Sequence, residues 1–440
     1  MDAGDGGPPV WAKRFSPQGT MVGGNAVAVR IDSQGNEVMT GYFSGTIDFG
    51  GMPLVAAGSS DIFVAKFDTF GNPIWSERFG GASIQEPTSL AIDAAGNIVI
   101  TGTFHGELDF GGGTLQSAGM GDIFVVKFTS AGQFVWSKGF GDAKDQEAGG
   151  VAVDSGGNVV VTGVYQGTID FGPAPLKNTG PTAGYDIYLA KLDSGTGEGT
   201  WSKGFGDPFG NTPGSPLVVI DSADSVILAG DYDIELNFGG ANLMSNGDLN
   251  VYLAKFDTNA NPLWSQTYGG AGVQKADDVG VDASGNIVLA GEITNGSINF
   301  GTDLMTPGVF LVSFDSSGSP GWSEDFAGVQ TGSVGVHSSG TIGLTVSCQS
   351  DNANLGGANL GATASAICMG EYDAHGTQLW STQFPGTELV NGLDMATGIA
   401  ADPLSTAFVI TGNAGGELDF GEGLLMIGST SDVFLAKIAP

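Results

Sequence analysis

Seven tryptophans (Trp11, Trp75, Trp136, Trp201, Trp264, Trp322 and Trp380) recur 58–65 residues apart, opening the phrases WAKRF, WSERF, WSKGF, WSKGF, WSQTY, WSEDF and WSTQF. Self-similarity at such a period marks a repeat architecture, in which one supersecondary unit is stacked many times. Between the tryptophans lie short Val/Ile/Phe/Thr-rich runs separated by Asp/Gly/Asn turns, and no 3.6-residue period is sustained. The third unit resolves into four strands, a (150–154, GVAVD), b (158–165, NVVVTGVY), c (186–193, DIYLAKLD) and d (200–205, TWSKGF). Four antiparallel strands repeated seven times without helices predict an all-β fold, a seven-bladed β-propeller. The chain enters on a d strand (9–15) and leaves on a c strand (432–438). Pairing those two closes the ring and hides its open edges. The expected layout is a linker-like Gly/Pro tail over 1–8 and one propeller over 9–440.

Composition narrows the partners. With 47 acidic against 14 basic residues the net charge is −33, which would repel a phosphate backbone, so nucleic acid is excluded as a partner. Many of these acids sit in turn motifs such as DAAGN and DSGGN, where Asp opens a hairpin by accepting backbone N–H bonds and Gly takes positive φ. A calcium loop needs roughly six to eight oxygens, more than these short turns supply. No run of 18 apolar residues occurs, so no membrane span is expected. The opening MDAGDGGPPV lacks a basic flank and an apolar segment, and reads as a linker left after a targeting segment. A monomer is expected.

The wording of the units, DIFVAKFDTFGNPIWSERFG followed by AIDAAGNIVITGTF, resembles the SBBP, or seven-bladed beta-propeller, repeat family of bacterial secreted proteins, over nearly the whole chain. The resemblance implies the fold and an extracellular or cell-envelope location. It carries no activity, because the family is defined by its repeat.

Superposing the units puts aromatic residues late in strand b and early in strand c: Phe43/Phe63, Phe104/Phe124, Tyr165/Tyr188 and Tyr232/Tyr252. In the sixth unit both places are taken by the only two cysteines, Cys348 and Cys368. Their joint replacement on neighbouring strands predicts a disulfide, the alternative being two buried thiols filling the space of two rings. Each unit also carries D/N-(F/L)-G, beginning at Asp48, Asp109, Asp170, Asn237, Asn299, Asn354 and Asp419. A feature of all seven blades answers a need all seven share: the acid or amide caps the b–c loop and the apolar residue packs between blades.

Any specific site lies where the units differ, on the face formed by the d–a and b–c loops. Late in strand b the units read Tyr42, Thr103, Val164, Asp231, Glu292, Ser347 and Asn413, so only blades 4 and 5 place acids there. Asp233 and the segments Gln85-Glu86, Asp145-Gln146-Glu147 and Asp277-Asp278 add polar groups. Such hard oxygen ligands suit Ca²⁺ or Mg²⁺. Among three histidines, His105 lies on this face and is the candidate general base, whereas His337 and His375 fall near the opposite turns. Serine-hydrolase, zinc-protease, P-loop and dinucleotide signatures are absent, so no nucleotide cofactor is expected.

Three functions are compatible with these residues. The first is a binding or display propeller that takes a glycan, peptide or small molecule on an acidic loop face. The second rests on an architecture similar to the propeller lactonases of the gluconolactonase-like group. That similarity implies a divalent metal on Asp231, Glu292 and Asn413, with Glu147 as base and the metal polarising a lactone carbonyl. The third is a structural spacer in a larger surface protein.

Overall fold

A computed structural model describes residues 9–178, 184–206, 214–246, 248–301, 303–348, 350, 352–361, 366–386, 395–415, 417–421, 424–425 and 431–439. The tail 1–8 lies outside them. The described residues form seven antiparallel blades, each with four main strands in the order a-b-c-d, the first extended by a two-residue strand, Leu54–Val55, on strand b. In blade 3 these are Gln146–Val153, Val159–Tyr165, Asp186–Leu192 and Gly199–Phe205. Consecutive a strands pack side by side around a central channel, which leaves each d strand on the outside. The chain is a seven-bladed β-propeller.

The ring closes as expected. Pro9–Phe15 pairs antiparallel with Asp432–Ile438, completing a blade whose a and b strands are Met395–Ala401 and Phe408–Ala414. This joins the two ends of the chain in one sheet, so no blade is left with strand c exposed.

The tryptophans fasten one blade to the next. Indole Nε1 of Trp11, Trp75, Trp136, Trp201, Trp264 and Trp322 donates to a c–d turn carbonyl of the following blade, those of Thr69, Ser130, Ser194, Thr258, Ser316 and Ala374, at 3.0–3.4 Å. The ring lies flat on that turn. A Cβ built on Gly376 would sit 2.6 Å from Trp322, and Gly376 has φ +80°, so glycine is required there for both space and backbone.

The D/N-(F/L)-G motif behaves as its recurrence suggests. In every blade the acid or amide Oδ1 accepts the N–H two residues on, from Asp48 with Gly50 (2.7 Å) round to Asp419 with Gly421 (2.7 Å). The residue between is buried in all seven, from Leu355 at 0% to Phe110 at 3% exposure. Phe110, for example, packs against Phe79 of the preceding blade and Phe124 of its own. The b–c connections are less irregular than expected, because five of them contain a short two-stranded ribbon, such as Glu107–Asp109 with Thr114–Gln116.

Cys348 and Cys368 form a disulfide with Cα atoms 5.9 Å apart. The register pairs Cys348 with Ala366 and Cys368 with Val346, so the bridge runs diagonally across the two strands. The aromatic pairs it replaces have the same offset, as in Phe43 opposite Asp61 and Phe63 opposite Gly41.

Candidate functional site

Strand a begins earlier than its hydrophobic pattern indicates. It starts at Gln85, Gln146 and Gln274, so Glu86, Glu147 and Asp277 stand on the innermost strands and not in d–a loops. A β-bulge interrupts the strand three residues in: Thr88, Asp277, Thr331 and Thr397 are the extra residues of blades 2, 5, 6 and 7. The bulge breaks the two-residue alternation, which is why strand composition locates only the second half.

The bulges join blades. Thr88 Oγ1 donates to Gly149 O (2.9 Å) and Thr397 Oγ1 to Ala26 O (2.8 Å), each in the next blade. Asp277 does the reverse, its Oδ2 accepting from Gly332 N of blade 6 at 3.0 Å. Asp278 adds a second such bond, from Val334 N at 2.9 Å.

The variable position late in strand b has a related use. Thr103 Oγ1 accepts from Ala148 N (3.2 Å) and Asn413 Oδ1 from Ala26 N (2.9 Å), both across a blade boundary. Asp231, buried at 6% exposure, accepts from Gly214 N (3.2 Å) and from the equivalent backbone N–H of Ala276. Thus two of the residues considered as metal ligands are engaged by backbone donors: Asn413 by Ala26 of the next blade, and Asp231 by Gly214 ahead of its own strand a and by Ala276 of the next blade. Glu292 is half-buried opposite the exposed Lys275. Blade 6 separates Glu292 in blade 5 from Asn413 in blade 7. Among the described residues no group of three or more His, Cys, Asp or Glu side chains is placed to hold a metal ion.

The channel holds a cavity of about 320 Å³ bounded by all seven a strands. Its lower part is collared by the last residue of each, from Ile31, Ile92 and Val153 round to Val336 and Ala401. Higher up, Arg30 of blade 1 faces Asp278 of blade 5. Desolvation lowers the guanidinium's affinity for its proton and Asp278 opposes that; for Asp278 desolvation raises the carboxyl and Arg30 opposes. Above this pair Asp277 is pushed up to about 7, first by desolvation and then by Glu292, Asp278 and Asp231. Asp231 is pushed up to about 6, mainly by burial, with Asp233 adding and Lys275 opposing. Asp231 and Glu292 thus both act electrostatically on Asp277, which the sequence pattern alone does not single out.

Glu147 and Glu86 are exposed on the channel rim in blades 3 and 2. Crowding at the mouth desolvates the Glu147 carboxyl and raises it, and Asp145 adds to the effect. Beside Glu86 a hollow of about 380 Å³ is lined by Gly23, Asn25, Tyr42, Ser60 and Ile84. His105 is exposed at the start of a b–c connection, and among the described residues only its backbone is hydrogen-bonded, to Ile84 and Gln85. His337 stands in the a–b turn of blade 6 against Phe408, on the opposite face as expected. His375 lies in a c–d turn.

No family model matches the chain. It is similar to an uncharacterised WD repeat-containing protein of Acanthamoeba polyphaga mimivirus (27% identity over 187 residues, 37% of this chain and 13% of that protein). It is also similar to the regulatory protein FlaEY of Caulobacter vibrioides (25% over 150 residues, 33% of this chain and 15% of that protein). The chain thus spans only a small part of the length of the curated relatives it matches. Among solved structures, the Dos1 propeller aligns over 96% of this chain and 94% of its own at 14% identity, with a TM-score of 0.46. A quinohemoprotein alcohol dehydrogenase from Comamonas testosteroni aligns over 98% and 76% at 12% identity, with a TM-score of 0.44. Within the described residues no helix is long and apolar enough to cross a membrane.

Proposed function

We propose that this propeller is a binding protein without a reaction of its own, and that its mouth receives a positively charged group of a partner. One observation carries this reading: Asp231, Asp277 and Glu292 crowd one side of the channel mouth, with Glu147 on the adjoining rim. Carboxylates held this close repel one another, and an incoming ammonium or guanidinium relieves that repulsion. The hollow beside Tyr42 and Glu86 offers room for flanking residues of an extended peptide. The repeat wording favours placing the chain with SBBP-type proteins, and the disulfide supports an oxidising, extracellular or envelope compartment.

Fluorescence anisotropy with a labelled lysine-rich peptide and its glutamate-rich counterpart tests the reading. Saturable binding of the first alone, weakened by salt and lost in Glu86→Lys/Glu147→Lys, is expected. Equal affinity for both peptides, or an unchanged affinity in the charge-reversed variant, would remove the mouth as the site.

A further inference from the structure

The turn between strands a and b is built alike in most blades, and in five of them its aspartate holds a lysine from strand c. The Nζ–Oδ2 distances are 2.9 Å for Lys66–Asp32, 3.0 Å for Lys127–Asp93, 2.7 Å for Lys191–Asp154, 2.8 Å for Lys255–Asp221 and 2.8 Å for Lys437–Asp402. The ammonium is held by oxygens on a second side as well. Lys66 donates to Ser130 O (3.1 Å), Lys127 to Gly157 O (3.3 Å) and Lys255 to Ser316 O (3.1 Å), all in the next blade.

Blade 5 keeps the aspartate and loses the lysine. Asp282 is 8% exposed; its Oδ1 accepts from Ser284 N and Asn286 N and its Oδ2 from Asn286 Nδ2, all at 2.8 Å, the amide bond to Oδ2 being present in sister turns beside their lysines as well. The lysine position is Ser313, which pairs with Val288 as Lys255 pairs with Ile227. Ser313 is 9% exposed and its hydroxyl has no hydrogen-bond partner among the described residues. Asp282 likewise has no cationic partner among them. The surrounding backbone has not closed in. A Cβ built on Gly340 of blade 6 would lie 3.4 Å from Asp282 Oδ2, just as one on Gly157 would lie 3.5 Å from Asp93 Oδ2 beside a retained lysine.

We infer that a monovalent cation of ammonium size, K⁺ or NH₄⁺, binds at the boundary of blades 5 and 6, held by Asp282, Ser313 and the turn backbone of blade 6 in place of the missing lysine ammonium. A buried carboxylate without a counter-charge is costly, whereas removing only the cationic partner leaves the oxygens that surrounded it. Oxygen donors with a single carboxylate suit a singly charged ion; a tight Ca²⁺ site takes roughly six to eight oxygens, several of them charged. A serine supplies one more oxygen where an aliphatic residue would supply none.

Unfolding of the full chain in KCl and in choline chloride at equal ionic strength provides the test, because general screening of the −33 net charge is then the same in both. The melting temperature should rise with KCl above its value in choline chloride. Ser313→Lys should reach the higher value in choline chloride and lose the K⁺ increment. Asp282→Asn, which retains an oxygen for the turn, should lose that increment too, and serves if the lysine variant does not fold. Identical melting in the two salts, or an increment that survives either substitution, would overturn the site.

Discussion

Trp380 Nε1 donates to Glu371 Oε2 of its own blade at 2.6 Å, whereas the other six tryptophans reach a turn carbonyl of the blade that follows. The reason lies in ring closure. The blade after Trp380 is completed by Pro9–Phe15, so its c and d strands are not joined by a turn. Glu371 stands where sister blades have lysine, and His337 stands where they have the turn aspartate.

Restoring the common residue should therefore harm the protein. Glu371→Lys leaves the indole N–H without its acceptor and a buried ammonium beside His337. A loss of about 1–3 kcal/mol in urea unfolding is expected, partly recovered by adding His337→Asp.

The disulfide closes a loop of 20 residues. Cys348→Ser/Cys368→Ser should lower stability by roughly 2–4 kcal/mol, read by denaturant midpoint. Alkylation of the denatured protein without reductant should add no mass; two added groups would show that the bond does not form.

The loop motif separates a cap from a core residue. Asp109→Ala loses the Asx hydrogen bond from Gly111 and a longer one from Gly113, and should cost about 1 kcal/mol. Phe110→Ala empties a space shared by two blades and should cost roughly 3–5 kcal/mol. Comparable losses for the two would show that the phenylalanine is not the principal contact.

Glu37 gives the closing seam its own pH response. It is fully buried, with Oε1 3.4 Å from Lys437 Nζ, and is pushed up to about 8, by burial above all, against the pull of Lys437. A folded-state value above the unfolded one means that the folded protein binds more protons between roughly pH 4.5 and 8. This contribution is complete below that window and lost as the pH rises through it. The stability difference between Glu37→Gln and the parent should consequently grow by on the order of a few kcal/mol from pH 5 to pH 9, in favour of the variant. A constant difference would mean that Glu37 is ionised throughout.

The blade count, ring closure, loop caps and disulfide were all legible because each rests on a residue type that recurs, or fails to recur, at a fixed place. Cys348 and Cys368 stood out only against the aromatic pairs of other units. The diagonal offset of that bridge was not legible, since it depends on register. The bulge hides the strand positions of Asp277 and Glu147, because it breaks the alternation that defines a strand. The clamp roles of Asp231 and Asn413 were hidden too, because a carboxylate or amide late in strand b looks the same whether it faces a ligand or a neighbour's N–H. One further signal lies in the repeat itself: the lysine of AKF is replaced in blades 5 and 6, whereas the aspartate of the a–b turn is replaced only in blade 6.

The binding reading rests on carboxylates that ionise near neutrality at the channel mouth. Calorimetric titration of a pentalysine peptide at pH 5 and pH 8 examines it most directly. With Asp231 pushed up to about 6 and Asp277 to about 7, the mouth gains negative charge across that interval. Saturable binding at pH 8, weakened about tenfold or more at pH 5 and abolished in Asp277→Asn/Glu292→Gln, is the expected result. No binding at pH 8, or binding that the double variant retains, would contradict it.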